Sequence, residues 1–598
     1  MNPRLIIIDK NMCLFNFFRG HFFNYFFLRN SSIRIPTNSR KNVPSICSDK
    51  VWSRHTSTCF IVPTNTRLGP WMPFHRGSKI PIKSSKIIFL NPKPHCVHNS
   101  YKFFSISISR SSGWKKFFHC LFKFTFFHQI TSMLNLTKNE CWYKYKNINI
   151  FKHSISSFIL VFSFFYTNSS YAEKLPEPIS SNDFHYSDPK KAALGRLLFY
   201  DKILSGNNNI SCGTCHHHDL GGSDGLSLGI GEGGSGIGKN RTPGVGDNKI
   251  KKRIPRNSPG LWNLGAKEIH TLMHDGRISK SNIFGNGFNT PAEEWLPSGL
   301  DNILSVQALF PMTRQFEMAG NFGENEIIGL VSKVGKDSRR IDRAWPVIEN
   351  KIRGISEYHQ KFMNAYEDIN DPMDIKIIHI ANAISAFIIK EWTSFDSPFD
   401  DFIKGKTNAL TPTQKRGMDL FYGKAQCSSC HSGILFTDQK FYALAIPQFG
   451  PGRTRRMDPY TRDVGRMGES DNFEDMYKFK TPSLRNVSLT FPYGHNGAYP
   501  TLKGIVKHHL NPLKMYKNWE PSMANLPKAK WLEKIDFVVF SDEREQKRLL
   551  SRIDINPVNI DENEINELVS FLHSLTGKSK NDRPLGKPNS VPSGIKVD

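Results

Sequence analysis

Five stretches of this chain carry apolar residues at helical intervals, and the long segments between them do not. The first runs from Pro189 to Tyr200, where Ala192, Ala193, Leu194, Leu197, Leu198 and Phe199 recur at helical intervals. A second runs from Ile375 to Ile389 and closes on Glu391-Trp392, before Ser397-Pro398-Phe399-Asp400 breaks it. A third opens on Thr411-Pro412, a capping side chain followed by the residue suited to a first helical turn, and continues through Met418, Leu420 and Phe421. A fourth starts at Thr501-Leu502 and extends through His508-His509. The fifth spans Glu564 to Leu575, with Ile565, Leu568, Val569, Leu572 and Leu575 in register and Gly577 placed to cap it. The pattern predicts a mainly α chain with long loops, divided into domains over 180–403 and 404–577. Residues 578–598 are polar and rich in Lys, Pro and Gly, and are expected to be a disordered tail.

The first quarter has no such periodicity. Runs such as Phe22-Phe23-Asn24-Tyr25-Phe26-Phe27 and Lys115-Lys116-Phe117-Phe118 alternate with Ser and Asn, and no core can be planned from them. This stretch also explains the charge. A net +27 on 598 residues points at first to nucleic acid or an acidic surface. Residues 1–172, however, hold 24 Lys and Arg against 3 Asp and Glu, which leaves 56 of the 80 basic and 50 of the 53 acidic residues for the rest, a surplus of only 6. The nucleic-acid reading is therefore set aside for the folded part. Lys144, Lys146 and Lys152 precede an apolar run from Ile155 to Tyr166, and Ser170-Tyr171-Ala172 puts small residues where a signal peptidase inspects them. A signal peptide over 133–172 is expected, cleaved before Glu173, because the run is shorter than the about 20 residues of a membrane span. The alternative is an uncleaved anchor. Its depth in the chain is explained either by translation starting at Met133, which makes 1–132 a mis-annotated leader, or by an unstructured extension over the same residues.

Candidate chemistry lies with the cysteines. Cys13, Cys47, Cys59, Cys96, Cys120 and Cys141 precede the mature region, and the other four form two C-x-x-C-H units, Cys212 to His216 and Cys427 to His431. Two intervening residues set the sulfurs at about the separation of the vinyl groups of a haem, and the next residue turns an imidazole under the ring as axial ligand. A redox dithiol or half of a zinc site uses similar spacing. Every cysteine beyond Cys141 belongs to such a unit, and each unit follows a predicted helix, which favours covalent haem and a duplicated cytochrome c-like arrangement.

The segment Gly221 to Gly238 contains Gly229-Ile230-Gly231-Glu232-Gly233-Gly234, a formal G-x-G-x-x-G. No predicted strand precedes it and no helix follows, so the dinucleotide reading fails and a flexible loop is expected. His217 and His218 are expected to be exposed, or to lie against haem propionates, rather than to bind metal.

Further along stand Arg256-Asn257-Ser258-Pro259, Asp275-Gly276-Arg277, Gln307 to Pro311 running on to Glu317-Met318, Thr481 to Asn486, and Pro492-Tyr493-Gly494-His495-Asn496-Gly497. With two C-x-x-C-H units 215 residues apart, this set resembles the bacterial di-haem cytochrome c peroxidase and MauG family over roughly residues 180 to 577. The resemblance implies a mainly α fold of two cytochrome c-like helical domains with long loops. Each would bind one covalent haem c, one through Cys212, Cys215 and His216 and the other through Cys427, Cys430 and His431. It further implies that the haem on His216 is the peroxide-reacting centre with a free sixth position, and that Gln307, Pro311 and Glu317 match the family's distal glutamine, proline and glutamate. A carboxylate suits that place, because uneven splitting of an O–O bond needs a base that carries a proton from one oxygen to the other.

The haem on His431 is implied to pass electrons. In the family its sixth ligand is methionine or tyrosine, and the matching position here is His509, which would lower the potential relative to methionine. The alternatives are that His508 and His509 lie nearby without binding, and that Met515 or nothing takes the place. Asn257, Thr490 and Pro492 match a calcium site between the haems, whose oxygen ligands suit that cation. His274 stands where many members have a tryptophan.

The resemblance also implies a periplasmic oxidoreductase, because haem is attached outside the bacterial cytoplasm. Its partners would be hydrogen peroxide and a small c-type cytochrome or cupredoxin as electron donor, without nucleic acid and without a membrane span in the mature form, and a homodimer is among the assemblies it admits. Two activities stay open: reduction of peroxide to water, or oxidation of tryptophan or tyrosine on a partner protein. A plain electron carrier is disfavoured by Gln307 and Glu317. No distal histidine is evident in residues 219–250, so the first haem is expected to be open at rest.

Overall fold

Four of the five helices begin where a capping side chain accepts from the free N–H groups of the first turn. Asp188 accepts from Lys190 and Lys191 N–H and Pro189 fills the next position, which starts the helix Pro189–Tyr200. Thr411 and Gln414 cap each other reciprocally at the start of Pro412–Tyr422, Thr501 accepts from Gly504 N–H at Leu502–Leu510, and Asp561 pairs with Glu564 at Glu562–His573. The second helix is Ile377–Trp392. The computed structural model describes residues 175–331, 340–454 and 461–598, so the expected leader (1–132) and signal peptide (133–172) lie outside the described residues. Shorter helical turns and long loops connect these helices. The β structure is minor: an antiparallel sheet of Thr271–Leu272, Ile278–Lys280 and Phe288–Asn289, and a pair formed by Phe441–Tyr442 and Phe479–Lys480. Among the described residues no helix is long and apolar enough to cross a membrane.

The helix before each C-x-x-C-H unit crosses a later helix at a glycine. A Cβ on Gly195 would lie 1.8 Å from the carbonyl oxygen of Ala383, and one on Gly417 would lie 1.9 Å from that of Glu567. At both crossings backbone meets backbone, and only hydrogen fits. Four residues beyond each glycine a buried phenylalanine packs on the partner helix: Phe199 on Phe387 and Phe421 on Phe571, each with ring centroids 5.2 Å apart. The same packing device thus recurs in the two halves.

Two large hydrophobic cores follow from these crossings. One is drawn almost wholly from Ile179 to Trp392, the other from Phe399 to Leu575. They are not separate bodies: Leu435 enters the first core and Leu228 the second, and the described residues belong to one compact unit.

Three expectations are corrected here. Residues 583–598 are packed against the first half rather than disordered. The fully buried Glu391 carboxylate accepts from the N–H groups of Leu585 and Gly586 at 2.8 and 2.9 Å, Ser593 Oγ donates to Asp201 at 2.6 Å, Val591 is buried, and Asp598 bonds Thr214 and Lys202. A polar composition did not prevent order, because buried carboxylates of the first half need these donors. Gly577 is not a left-handed helix cap; its φ is −62°, and it is a glycine because a Cβ would meet Ser394 Oγ at 2.1 Å. The Gly221–Gly238 loop is not free: Arg241 donates to the carbonyls of Ile230, Gly231 and Gly236 at 2.5, 2.8 and 2.8 Å, and most of the segment is buried.

Replacing either crossing glycine by alanine, Gly195→Ala or Gly417→Ala, should force the helices apart and cost about 1–3 kcal/mol or more in each case, by analogy with overpacked cores. Denaturant midpoints of the two variants measure this, and an unchanged midpoint for either would remove that crossing from the fold's requirements.

Candidate functional site

The first C-x-x-C-H unit is a single helical turn, Cys212–Cys215, with His216 as its final cap. Ser211 N–H donates to Thr214 Oγ1 at 3.0 Å and His216 N–H to Cys212 O at 2.9 Å, so the spacing of the motif is the spacing of one turn. Gly213 lies against the ring of Tyr200, where a Cβ would come within 2.3 Å, and this fixes the turn on the end of the preceding helix. His216 Nδ1 is 2.8 Å from Gly222 O and 3.3 Å from Ser258 Oγ. A carbonyl only accepts, so Nδ1 carries the hydrogen and Nε2 keeps its lone pair.

The second unit repeats the arrangement on a 3₁₀ turn, Cys427–Ser429. His431 N–H donates to Cys427 O at 3.0 Å, and its Nδ1 faces Phe436 O at 3.0 Å. Arg485, from the Thr481–Asn486 motif, holds this loop by donating to Ile434 O at 2.5 Å and to the buried Asp400 at 2.9 Å. Burial pushes the thiols of Cys212, Cys215 and Cys427 up to about 12, so they are neutral, unlike the low-pKa thiols of a redox dithiol. None of the four cysteines is in a disulfide. Burial and the neighbouring His509 lower His431 to about 4, and burial lowers His216, so both imidazoles are neutral and able to bind metal. Among the described residues no three His, Cys, Asp or Glu side chains converge as a metal site. Two neutral thiols beside an imidazole with one oriented lone pair suit a haem held through sulfur and nitrogen.

Gln307 closes the helix Ile303–Ala308, Pro311 starts the turn Pro311–Thr313, and Glu317 sits in a π-helical turn, Gln315–Ala319. In a segment where Val306, Ala308, Leu309, Phe310, Met312, Thr313 and Met318 are buried, Gln307, Pro311, Arg314, Gln315, Phe316 and Glu317 are half-buried. The Glu317 carboxylate acts electrostatically on both the Cys215 thiol and Arg314, so it lies on the side of the first motif. The glycine loop backs this segment: Glu232 N–H donates to Glu317 O at 3.1 Å, and a Cβ on Gly231 would lie 1.9 Å from Phe316 O.

The other sequence candidates fall as follows. His217 is buried, with its Nδ1 accepting from Asp219 N–H, and His218 packs on Trp392 and lies 3.5 Å from Glu391, so neither is the exposed residue expected. His509 faces His431. Asn257 donates its side-chain N–H to Leu226 O at 2.7 Å and its backbone N–H to His495 O at 2.9 Å, which turns its amide oxygen the other way, while Gly260 packs on Thr490. His274 is pushed down to about 3 by burial, with Arg256 and His495 beside it.

A buried ion cluster joins the two halves. Arg256 reaches Asp463 at 2.7 Å and Asp275 at 2.6 Å, and Asp275 also faces Arg453 at 3.1 Å and Arg277 at 3.3 Å. Burial alone would push Asp275 up, but Arg256, Arg277 and Arg453 hold it well below the usual carboxylate range. Sequence reading missed several of these partners. Ser258 is the variable position of Arg-Asn-x-Pro, and Gly222, Phe436 and Asp463 carry no signal in the sequence, because a backbone carbonyl or a distant carboxylate is recruited only by folding.

Residues 189–408 match the family described as di-haem cytochrome c peroxidase. The chain is 26% identical to the methylamine utilization protein MauG of Methylorubrum extorquens over 56% of this chain and 72% of that one. It is 30% identical to the cytochrome c peroxidase of Escherichia coli over 54% of this chain and 53% of that one. A solved structure of a MauG-like protein associated with microbial copper homeostasis superposes with a TM-score of 0.43 at 24% identity, covering 70% of this chain and 98% of that one.

Asp275→Asn should remove the charge facing the buried Arg256 and Arg277 and the half-buried Arg453, and destabilise the protein by about 3–5 kcal/mol. Chemical denaturation measures this; a loss below about 1 kcal/mol, the value of an exposed pair, would show that the cluster is solvated.

Proposed function

The chain belongs to the MauG and di-haem cytochrome c peroxidase family, and on that premise we propose that it reduces hydrogen peroxide to water at a first haem, held by Cys212, Cys215 and His216, with electrons relayed through a second, held by Cys427, Cys430 and His431. What supports the reading is that Gln307, Pro311 and Glu317 each stay partly exposed, with Glu317 acting electrostatically on the Cys215 thiol of a motif whose His216 presents Nε2. A haem held by Cys212, Cys215 and His216 would supply the electron transfer that breaks the O–O bond. Glu317 takes the proton from one peroxide oxygen and returns it to the other, which leaves as water; two electrons and two further protons complete the conversion of one peroxide to two waters. Gln307 orients the peroxide by hydrogen bonding, and Pro311, which has no N–H, narrows the pocket without competing for it.

The relay takes its electrons from a small redox protein, a c-type cytochrome or cupredoxin, in the periplasm. The family resemblance also implies one calcium ion on the Asn257 amide oxygen and the carbonyls of Thr490 and Pro492. The second activity open to this family is oxidation of tryptophan or tyrosine on a partner protein. Steady peroxide consumption with a reduced cytochrome supports the peroxidase, and its absence alongside oxidation of a partner protein replaces it.

The mature protein should weigh its polypeptide plus two haems under denaturing conditions, and a bare polypeptide mass would sink the reading. Glu317→Gln should slow the reaction with peroxide by about 10²–10⁴-fold, the usual worth of a positioned proton carrier. Rapid mixing measures it, and an unchanged rate removes Glu317 from the chemistry.

A further inference from the structure

We infer that His509 is the sixth ligand of the second haem iron, opposite His431, which makes that centre a bis-histidine haem served by a low-potential electron donor; this rests on the di-haem reading above. The rings of His431 and His509 have centroids 6.3 Å apart. Two imidazoles bound to opposite sides of one metal through bonds of about 2 Å hold their ring centres roughly 6 Å apart, so the separation is that of a shared iron.

Each ring has one nitrogen left for that iron, and it is the same one. His431 Nδ1 faces Phe436 O at 3.0 Å and His509 Nδ1 faces Ile505 O at 2.9 Å. Both oxygens can only accept, so both Nδ1 atoms carry hydrogen and both Nε2 atoms keep a lone pair. His509 bonds the carbonyl one turn earlier in its own helix, Leu502–Leu510, which fixes its ring without help from a second element.

The competing ligands are otherwise engaged. His508 is fully buried with both nitrogens committed, Nδ1 to Tyr499 Oη and Nε2 to Leu444 O, each at 2.7 Å. It therefore has no lone pair to offer without breaking a buried bond, while it locks the helix that presents His509. Met515 stands on the following helix, Pro512–Lys517, where its side chain packs against the second core.

The choice of ligand sets the direction of electron flow. A thioether ligand raises the potential of a haem, and an imidazole in its place lowers it. A bis-histidine second haem stays oxidised in the resting protein, accepts an electron only from a donor of comparably low potential, and gives it up readily to the first site. The partner is therefore a low-potential one-electron carrier rather than one matched to a methionine-ligated centre.

The test is low-temperature electron paramagnetic resonance of the oxidised holoprotein, with the intact mass recorded on the same sample. The wild type should show one low-spin bis-imidazole signal. That signal should vanish in His509→Ala and return when free imidazole is added. It should persist in His508→Ala, which separates ligation from packing. His509→Met should keep six-coordination, gain a sulfur-to-iron absorption band and raise the midpoint potential of the second haem. If His509→Ala carries two haems by mass but keeps the low-spin signal unaltered, the ligand assignment is wrong and the di-haem reading survives. If the mass shows no haem, both fall.

Discussion

A neutral imidazole binds metal through one nitrogen only when the other is held by something that cannot compete for the metal. Three histidines of this protein have Nδ1 held by a backbone carbonyl: Gly222 O for His216, Phe436 O for His431 and Ile505 O for His509. Because a carbonyl can only accept, one geometric fact settles tautomer, ring orientation and the direction of the free lone pair together. The loops that supply the first two carbonyls are braced by buried arginines. Arg241 pins the glycine loop through three carbonyls, and Arg485 ties the loop after His431 to Asp400.

The bracing explains why so many charged side chains are buried. Buried guanidinium groups are costly unless matched, and here Arg256, Arg277 and Arg453 are matched by Asp275, with Asp463 as second partner of Arg256. These residues come from both halves of the chain, so the cluster fixes one half on the other. Residues 583–598 add a further tie by returning to the first half, where they satisfy Glu391 and Asp201 and reach Thr214 inside the first motif.

The two halves are built by the same rule. A glycine on the helix before each motif lets a later helix approach to backbone contact, and a phenylalanine four residues on fills the space beside it. That close crossing holds the end of the first helix still, and in the first half Tyr200 at that end packs on Gly213 of the motif. In the first half, helix packing and the placement of the C-x-x-C-H turn are thus linked.

The five helices and the turn of each C-x-x-C-H unit were legible in the chain, because periodicity and motif spacing are local and survive in one dimension. The order of residues 583–598 and the packing of His218 on Trp392 were not, because each depends on a partner far away in sequence. Composition reports whether a segment can build its own core; it does not report whether another segment needs its donors. His508 and His509 show the division most clearly. Neighbours of one residue type are equivalent as letters, and only the folded chain commits both nitrogens of one to Tyr499 and Leu444 while turning the other towards His431. Local chemistry named the candidates, and tertiary hydrogen bonding chose between them.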